Sequence, residues 1–193
     1  MCMVKNRILI DVDGVIANFI DFYVKIASDT LNKELFIINQ FSWDCGDAIG
    51  LSEHEKTKVH KALFSKGAAL KIDPYEGAID SVKELSIYND IYFVTTPLDE
   101  SETWAGDRIK WLASYFGQEL GSKYILTRDK FTVYGDILID DKPDNVIKWK
   151  EAWPKSLPIL WSHEYNSLTP GIIRTNKWSR IKSLSKHFKR RDS

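Results

Sequence analysis

The chain has 193 residues, 44% of them hydrophobic, enough for one domain with a real core and a smaller insertion but not for two independent folding units. Lys plus Arg and Asp plus Glu both number 27, so no global field announces a nucleic-acid or membrane-surface partner, and a small substrate stays in play. Cys2 and Cys45 are too few for a disulfide scaffold, "MCMVKNR" has no long apolar run behind it, and no stretch reaches the roughly 20 apolar residues of a membrane span; a reducing, cytoplasmic location without a signal peptide is expected.

The first element is "RILI", with Ile8, Leu9 and Ile10 short, apolar and largely β-branched, which fits a buried parallel strand better than a helix. Asp11 and Asp13 follow it directly, before Gly14, at the carboxyl end where open α/β sheets bind ligands. Two like charges so close repel, and a divalent cation is the usual way to hold both ionised. "NFIDFYVKIASDTLNKEL" then spaces Phe19, Phe22, Tyr23 and Ile26 as an amphipathic helix. "NQFSWDCGDAIGLSE" is rich in turn formers, and Ser52 with Glu55 is a capping box that opens a second helix through about Lys66. Residues 18–74 hold no convincing core strand and read as a helical cap inserted after the first strand, closed by Asp73-Pro74.

"YEGAIDSVKELSIY" predicts a helix leading into the strand "IYFV", and "SETWAGDRIKWLASYFG" predicts another helix, stopped by Gly117. Trp104, Arg108 or Ile109, Trp111, Leu112 and Tyr115 give that helix one aromatic face. "YIL" before Thr127 and "DILI" before Asp140 are further strands, "PDNVIKWK" is a short helix, and "LPILW" reads as a fifth, edge strand. The tail "NKWSRIKSLSKHFKRR" is a basic amphipathic helix whose end, Lys186 to Arg191, reads as a solvated face. Strands alternating with helices predict an α/β fold, a Rossmann-like parallel sheet flanked by helices. Residues 1–17 and 75–193 form the expected catalytic core and 18–74 the expected cap.

Polar groups suited to one reaction sit at the strand ends: Asp11 and Asp13 after the first, Thr95 and Thr96 at the second, Asp140 and Asp141 at the fourth, with Lys130 ten residues before Asp140. Phosphoryl transfer to an aspartate needs a nucleophilic carboxylate, a general acid for the leaving alcohol, a Mg²⁺ ion, and neutral and cationic donors for the phosphate oxygens. Each motif alone has a blander reading. Asp-x-Asp-Gly occurs in solvated turns and calcium loops, Thr95-Thr96 are turn formers ahead of Pro97, Lys130 reads as a surface lysine, and Asp140-Asp141 as a helix cap. Their common order along the chain is what singles out catalysis. His163 in "WSHEYN" reads as structural or merely exposed.

"ILIDVDGV", "IYFVTT", Lys130 and "ILIDD" resemble, in order and spacing, the motifs of the haloacid dehalogenase superfamily of aspartyl-phosphate phosphatases. Within it, "DVDGVIANF", "FVTTP", "ILTRDK" and "LIDDKPDN" look like the 5'(3')-deoxyribonucleotidases, from Arg7 to about Trp149. The resemblance implies a Mg²⁺-dependent phosphatase acting on (deoxy)ribonucleoside monophosphates. It implies that Asp11 is the nucleophile, that Asp13 is the general acid and base, and that Thr95, Thr96, Lys130 and Arg128 serve the phosphate. It further implies that Gly14 turns the backbone beneath the phosphate, and that Asp11, the Asp13 carbonyl, Asp140 and Asp141 serve the metal. Phe19, Trp43 and Phe64 lie where that family's cap forms an aromatic slot for the base. Val15 stands where the wider superfamily often has Thr; the nucleotidase branch also accepts Val. A 3'-phosphatase of nucleic-acid ends and a sugar-phosphate phosphatase keep the same chemistry, and a phospho-acceptor signalling or binding protein is the competing class. The neutral charge disfavours a nucleic-acid partner, no membrane partner is expected, and a homodimer is left open.

Overall fold

The computed structural model describes residues 5–188, so Cys2, the start of "MCMVKNR" and the basic tail after Phe188 lie outside the described residues. Six strands form one all-parallel sheet: β1 (Arg7–Ile10), β2 (Asp90–Thr95), β3 (Tyr124–Leu126), β4 (Ile137–Asp140), β5 (Leu157–Trp161) and β6 (Ile173–Thr175). The helices are α1 (Phe19–Leu31), α2 (Cys45–Ala48), α3 (Glu53–Leu63), α4 (Ala78–Tyr88), α5 (Trp104–Gly121), α6 (Pro143–Ala152) and α7 (Trp178–His187). The central strands are apolar throughout because both faces are covered. Ile8, Ile10, Phe93, Ile137 and Ile139 pack with Val82, Leu85, Trp111, Leu112 and Ile181 from α4, α5 and α7. Leu9, Val94 and Leu138 pack on the other face with Trp149 of α6.

The strand order β3-β2-β1-β4-β5-β6 reverses direction between β1 and β4. The crevice outside the carboxyl ends at such a reversal is where open α/β sheets take ligands. Ile10 pairs with Ile139, and the Asp11 N–H donates to the Ile139 carbonyl at 2.9 Å, so the register lays Asp11 beside the Asp140-Asp141 pair.

One sequence expectation is corrected here. The strand "LPILW" is not an edge, because β6 pairs outside it from Ile159 to Trp161. Pro158, which has no N–H to give, lies before that pairing begins, and β6 is too short to carry a periodic signal. Gly117, at φ 75° and ψ 173°, is non-helical and interrupts α5 where the sequence predicts a stop; one further helical turn follows to Gly121.

Between β1 and α4 lie α1, α2, α3 and a 3₁₀ turn at Ala69–Lys71, with isolated bridges but no strand among the described residues. Asn18 caps α1, and the Ser52–Glu55 capping box opens α3 as the sequence predicts. That helix ends at Leu63, a few residues short of the expected Lys66. The two chain connections to this block run side by side: the Asn18 N–H donates to Asp73 O and the Tyr75 N–H to Ile16 O, both at 2.8 Å.

Candidate active site

At the reversal point three carboxylates, Asp11, Asp140 and Asp141, offer oxygens within 4.8 Å of one another, all from buried residues. Lys130 enters from the 3₁₀ turn after β3 and places Nζ 2.7 Å from Asp11 Oδ2 and 2.8 Å from Asp140 Oδ2. Burial works against its charge, but Asp11 and Asp140 outweigh burial and hold the ammonium above the ordinary lysine range. Burial likewise raises the Asp11 carboxyl well above its usual value against the pull of Lys130. The Asp141 carboxyl is raised to about 7, by burial first and then by the Asp140 charge beside it. Three acids facing one buried ammonium leave the cluster short of positive charge, and its donors are hard oxygens. That combination fits a divalent cation of the Mg²⁺ type.

The two adjacent acids are not equivalent. Asp140 Oδ1 accepts from the Lys142 N–H at 2.8 Å and from Asn145 at 3.2 Å, while Oδ2 accepts from Lys130 and from Asn145 at 3.1 Å. Asp141 accepts one side-chain hydrogen bond, from the Tyr165 hydroxyl to Oδ2. Gly14, at φ +80°, lies so close that a Cβ there would stand 2.3 Å from Asp141 Oδ2; a side chain at this position would push the acid out of the cluster. The Gly14 N–H is taken by the Ala17 carbonyl at 3.0 Å, and its own carbonyl accepts from His163 Nε2 at 2.6 Å. His163 is therefore a structural donor that fixes the turn, with its imidazole pKa lowered by burial.

Asp13 does not join the acid cluster with its side chain. Its Oδ1 accepts from Arg108 Nη2 at 2.5 Å, and its carboxyl is raised by burial against the opposing pull of Arg108 and Lys130. Thr95 is buried at the end of β2; its hydroxyl makes no hydrogen bond of ordinary geometry, although it lies near enough to Asp13 to favour the carboxylate. A buried hydroxyl without a partner is what a phosphate-binding group looks like before its ligand arrives. The Thr96 hydroxyl, by contrast, donates to the Thr127 carbonyl at 3.0 Å, and Arg128 pairs with Asp99 at the exposed rim.

A cavity of about 520 Å³ joins this chemistry to the block 18–74; Asp11, Asp13, Thr95, Lys130 and Asp141 line it. Phe19, Tyr23, Trp43, His60 and Phe64 line the same cavity. The three rings expected as one slot share it, each against different neighbours. Phe19 packs edge-on against Trp104 at 6.2 Å, and Phe64 tilts on His60 at 5.6 Å. Trp43, 47% exposed, meets Tyr165 edge-on at 5.0 Å and has the Lys142 ammonium 5.5 Å from its ring centre.

Sequence reasoning missed Arg108, Asn145 and Tyr165. An arginine in step with Trp104 and Trp111 on one helix face was a visible signal, and Asn145 stands inside "LIDDKPDN". Tyr165 comes from the turn after β5 and carried no signal.

The comparisons with known proteins agree with this geometry. The chain matches the family model described as 5' nucleotidase, deoxy (pyrimidine), cytosolic type C protein (NT5C) over residues 4–190. It is 29% identical over 181 residues to the human mitochondrial 5'(3')-deoxyribonucleotidase, covering 90% of this chain and 78% of that protein. With the human cytosolic-type 5'(3')-deoxyribonucleotidase it shares 32% over 127 residues, 63% of this chain and 62% of that one. A magnesium-bound haloacid dehalogenase-type hydrolase from Bacillus subtilis shares the fold, with a TM-score of 0.59 at 13% identity over 94% of this chain and 98% of that one. The chain belongs to the 5' nucleotidase, deoxy (pyrimidine), cytosolic type C family, and is a phosphoric monoester hydrolase.

Proposed function

We propose that the protein hydrolyses (deoxy)ribonucleoside monophosphates to nucleoside and phosphate, with Mg²⁺, through a phosphorylated Asp11. The observation that carries this reading is Asp11 at the β1–β4 reversal, with Lys130 2.7 Å away and a second acid, Asp13, two residues on. A receiver-type phospho-acceptor has no use for that second acid. A bound Mg²⁺ supplies charge to the phosphate oxygens and screens Asp11 for attack. Asp11 and Asp141 would hold it with the Asp13 carbonyl; Asp140, already accepting four hydrogen bonds, orients Lys130 and supports the ligands around it.

In the first step an Asp11 oxygen attacks phosphorus, the bond from phosphorus to the nucleoside oxygen breaks, and Asp13 gives that oxygen its proton. In the second, Asp13 takes a proton from water as the water oxygen attacks phosphorus, and the Asp11–phosphorus bond breaks. Thr95 donates to the phosphoryl oxygens and Lys130 balances their charge. Gly14 supplies the close turn beneath them, with Thr96 and Arg128 at the approach to the cavity. Residues 18–74 act as the specificity cap over the core formed by 1–17 and 75–193, and Phe19, Trp43 and Phe64 face the base. Apolar rings lining the cavity favour a nucleoside over a bare sugar phosphate.

Phosphate release measured across nucleoside monophosphates, with Mg²⁺ and with a chelator, tests the reading. Hydrolysis that requires the metal, with a hydroxylamine-sensitive phosphate on Asp11 detected by mass spectrometry, is expected. No turnover of any nucleotide, or turnover with no label on Asp11, overturns it. Of the location, the described residues say only that no helix is long and apolar enough to cross a membrane.

A further inference from the structure

Arg108 lies on the inner face of α5 with its side chain 1% exposed. Nη2 donates to Asp13, whereas Nε and Nη1 have no hydrogen-bond partner. The guanidinium carbon stands 5.4 Å from the ring centre of Trp104 and 5.2 Å from that of Trp111. Trp111 is itself pinned, its indole N–H donating to the Ile72 carbonyl at 2.7 Å. Burying a guanidinium with two N–H groups unpaired is costly, and an apolar side chain of the same volume is often neutral or stabilising at such a place. Packing alone therefore does not account for an arginine here. Its one ion-pair partner is Asp13.

What a proton-transferring carboxyl needs from its neighbours is direction, since a misplacement of a fraction of an ångström already lowers the rate. Lys130 also attracts Asp13, from a different element of the fold. Were Asp13 to turn toward Lys130, it would compete with Asp11 and Asp140 for that ammonium and leave the departing oxygen without a donor. The rigid fork of Arg108, clamped between two tryptophans, opposes that turn.

We propose that Arg108 is a positioning residue: it holds Asp13 through Oδ1, so that Oδ2 is the oxygen that exchanges protons with the leaving nucleoside oxygen and then with water. This rests on Asp13 being the general acid and base of the proposed reaction, and the experiment separates the two. Arg108→Met, Arg108→Lys and Asp13→Asn are assayed by first-turnover release of the leaving alcohol, the step before water attack, on a nucleoside monophosphate and on p-nitrophenyl phosphate, whose good leaving group needs little protonation. Arg108→Met lowers that rate for the nucleotide on the order of 10²-fold, within the range of acid–base catalysis. Its KM for the nucleotide stays within about threefold, and p-nitrophenyl phosphate loses no more than about fivefold. Arg108→Lys keeps the charge but not the fork, and gives the same split at about tenfold. If Arg108→Met does not fold, Arg108→Lys decides alone. Equal losses on both substrates, or none, overturn the positioning role when Asp13→Asn itself discriminates between them. An Asp13→Asn variant that fails to discriminate removes the acid–base reading underneath.

Discussion

The strand-end acids and the cap's aromatic rings face the same cavity but are held there by different physics. Asp11, Asp140 and Asp141 come from the ends of two adjacent strands, and pairing of Ile10 with Ile139 fixes their spacing to the accuracy of a hydrogen-bonded ladder. Each is buried, and Lys130 and the Tyr165 hydroxyl bond directly into the group. Of the three rings, Phe19 opens α1 and Phe64 closes α3, but Trp43 has no such frame. Trp43 belongs to the irregular stretch between α1 and α2, where Phe36, Ile38 and Phe41 are also exposed, and its neighbours Tyr165 and Lys142 belong to the core. In the proposed reaction the chemistry would thus be set by sheet register, and recognition of the base by how a loop is laid over it. Mutations in the two regions should differ in kind: steep and substrate-independent at the strand ends, shallow and substrate-dependent in the cap.

The steepest effect is expected at Asp11. Asp11→Asn cannot form the phosphorylated intermediate and removes a charge the metal needs, so turnover falls on the order of 10⁴–10⁶-fold on every substrate, the scale for loss of a nucleophile. Single-turnover phosphate release checks it; activity near that of the unaltered protein would falsify the covalent mechanism. Lys130→Met comes next. It leaves three buried carboxylates without their cation, which costs about 3–5 kcal/mol of stability when a buried pair is broken. A urea titration reads that loss, and added Mg²⁺ should restore part of it by binding the same acids. If Lys130→Met were as stable as the parent without metal, the ammonium would not be balancing the cluster.

This difference in kind also decides what the amino-acid sequence could tell. The acids were legible because a short apolar run ending in Asp-x-Asp or Asp-Asp can be placed from local pattern alone, and parallel pairing then brings distant ends together. Lys130 was legible only by its place between Thr95 and Asp140, not from any local signal. The strand β6 was hidden because three residues have no periodicity, so β5 read as the edge. Arg108 was on the right helix face, but only the packed structure shows its guanidinium reaching Asp13. The aromatic slot was the least legible. Residue type names Trp43, Phe19 and Phe64 as candidates, but no pattern says that Trp43 turns toward Tyr165 while Phe64 turns toward His60.

A milder effect is expected from pH. The Asp141 carboxyl, raised to about 7 by burial and the neighbouring Asp140 charge, keeps its proton in the metal-free protein up to about that pH. Its folded pKa is above its unfolded one, so the contribution to stability is fullest below the unfolded pKa and is lost as pH rises through about 7. A divalent ion must displace this proton. Below pH 7 its affinity should therefore fall by at least about tenfold per pH unit, Asp141 releasing one proton per ion bound and the raised Asp11 carboxyl adding to the slope. Calorimetric Mg²⁺ titrations at several pH values, in buffers of different ionisation enthalpy, measure both quantities. Affinity independent of pH between about 5 and 7 would remove Asp141 as the protonated ligand.

The smallest effect, and the sharpest test of the division between the two regions, is expected at Trp43. Trp43 lines the cavity that also holds the acids, and stacking of a base on such a ring contributes about 1–3 kcal/mol. With the ring half exposed and already in contact with Tyr165, the low end of that range applies. Trp43→Ala should then raise KM for nucleoside monophosphates about three- to tenfold, leave their kcat nearly unchanged, and leave p-nitrophenyl phosphate untouched because it has no base to stack. The contact with Tyr165 supplies the competing outcome, since Tyr165 also donates to Asp141. If Trp43 serves mainly to seat the loop on Tyr165, its loss should disturb Asp141 as well and lower kcat on both substrates alike. Equal losses would move Trp43 from the recognition region to the catalytic one, and Phe19 and Phe64 would be left to carry the base.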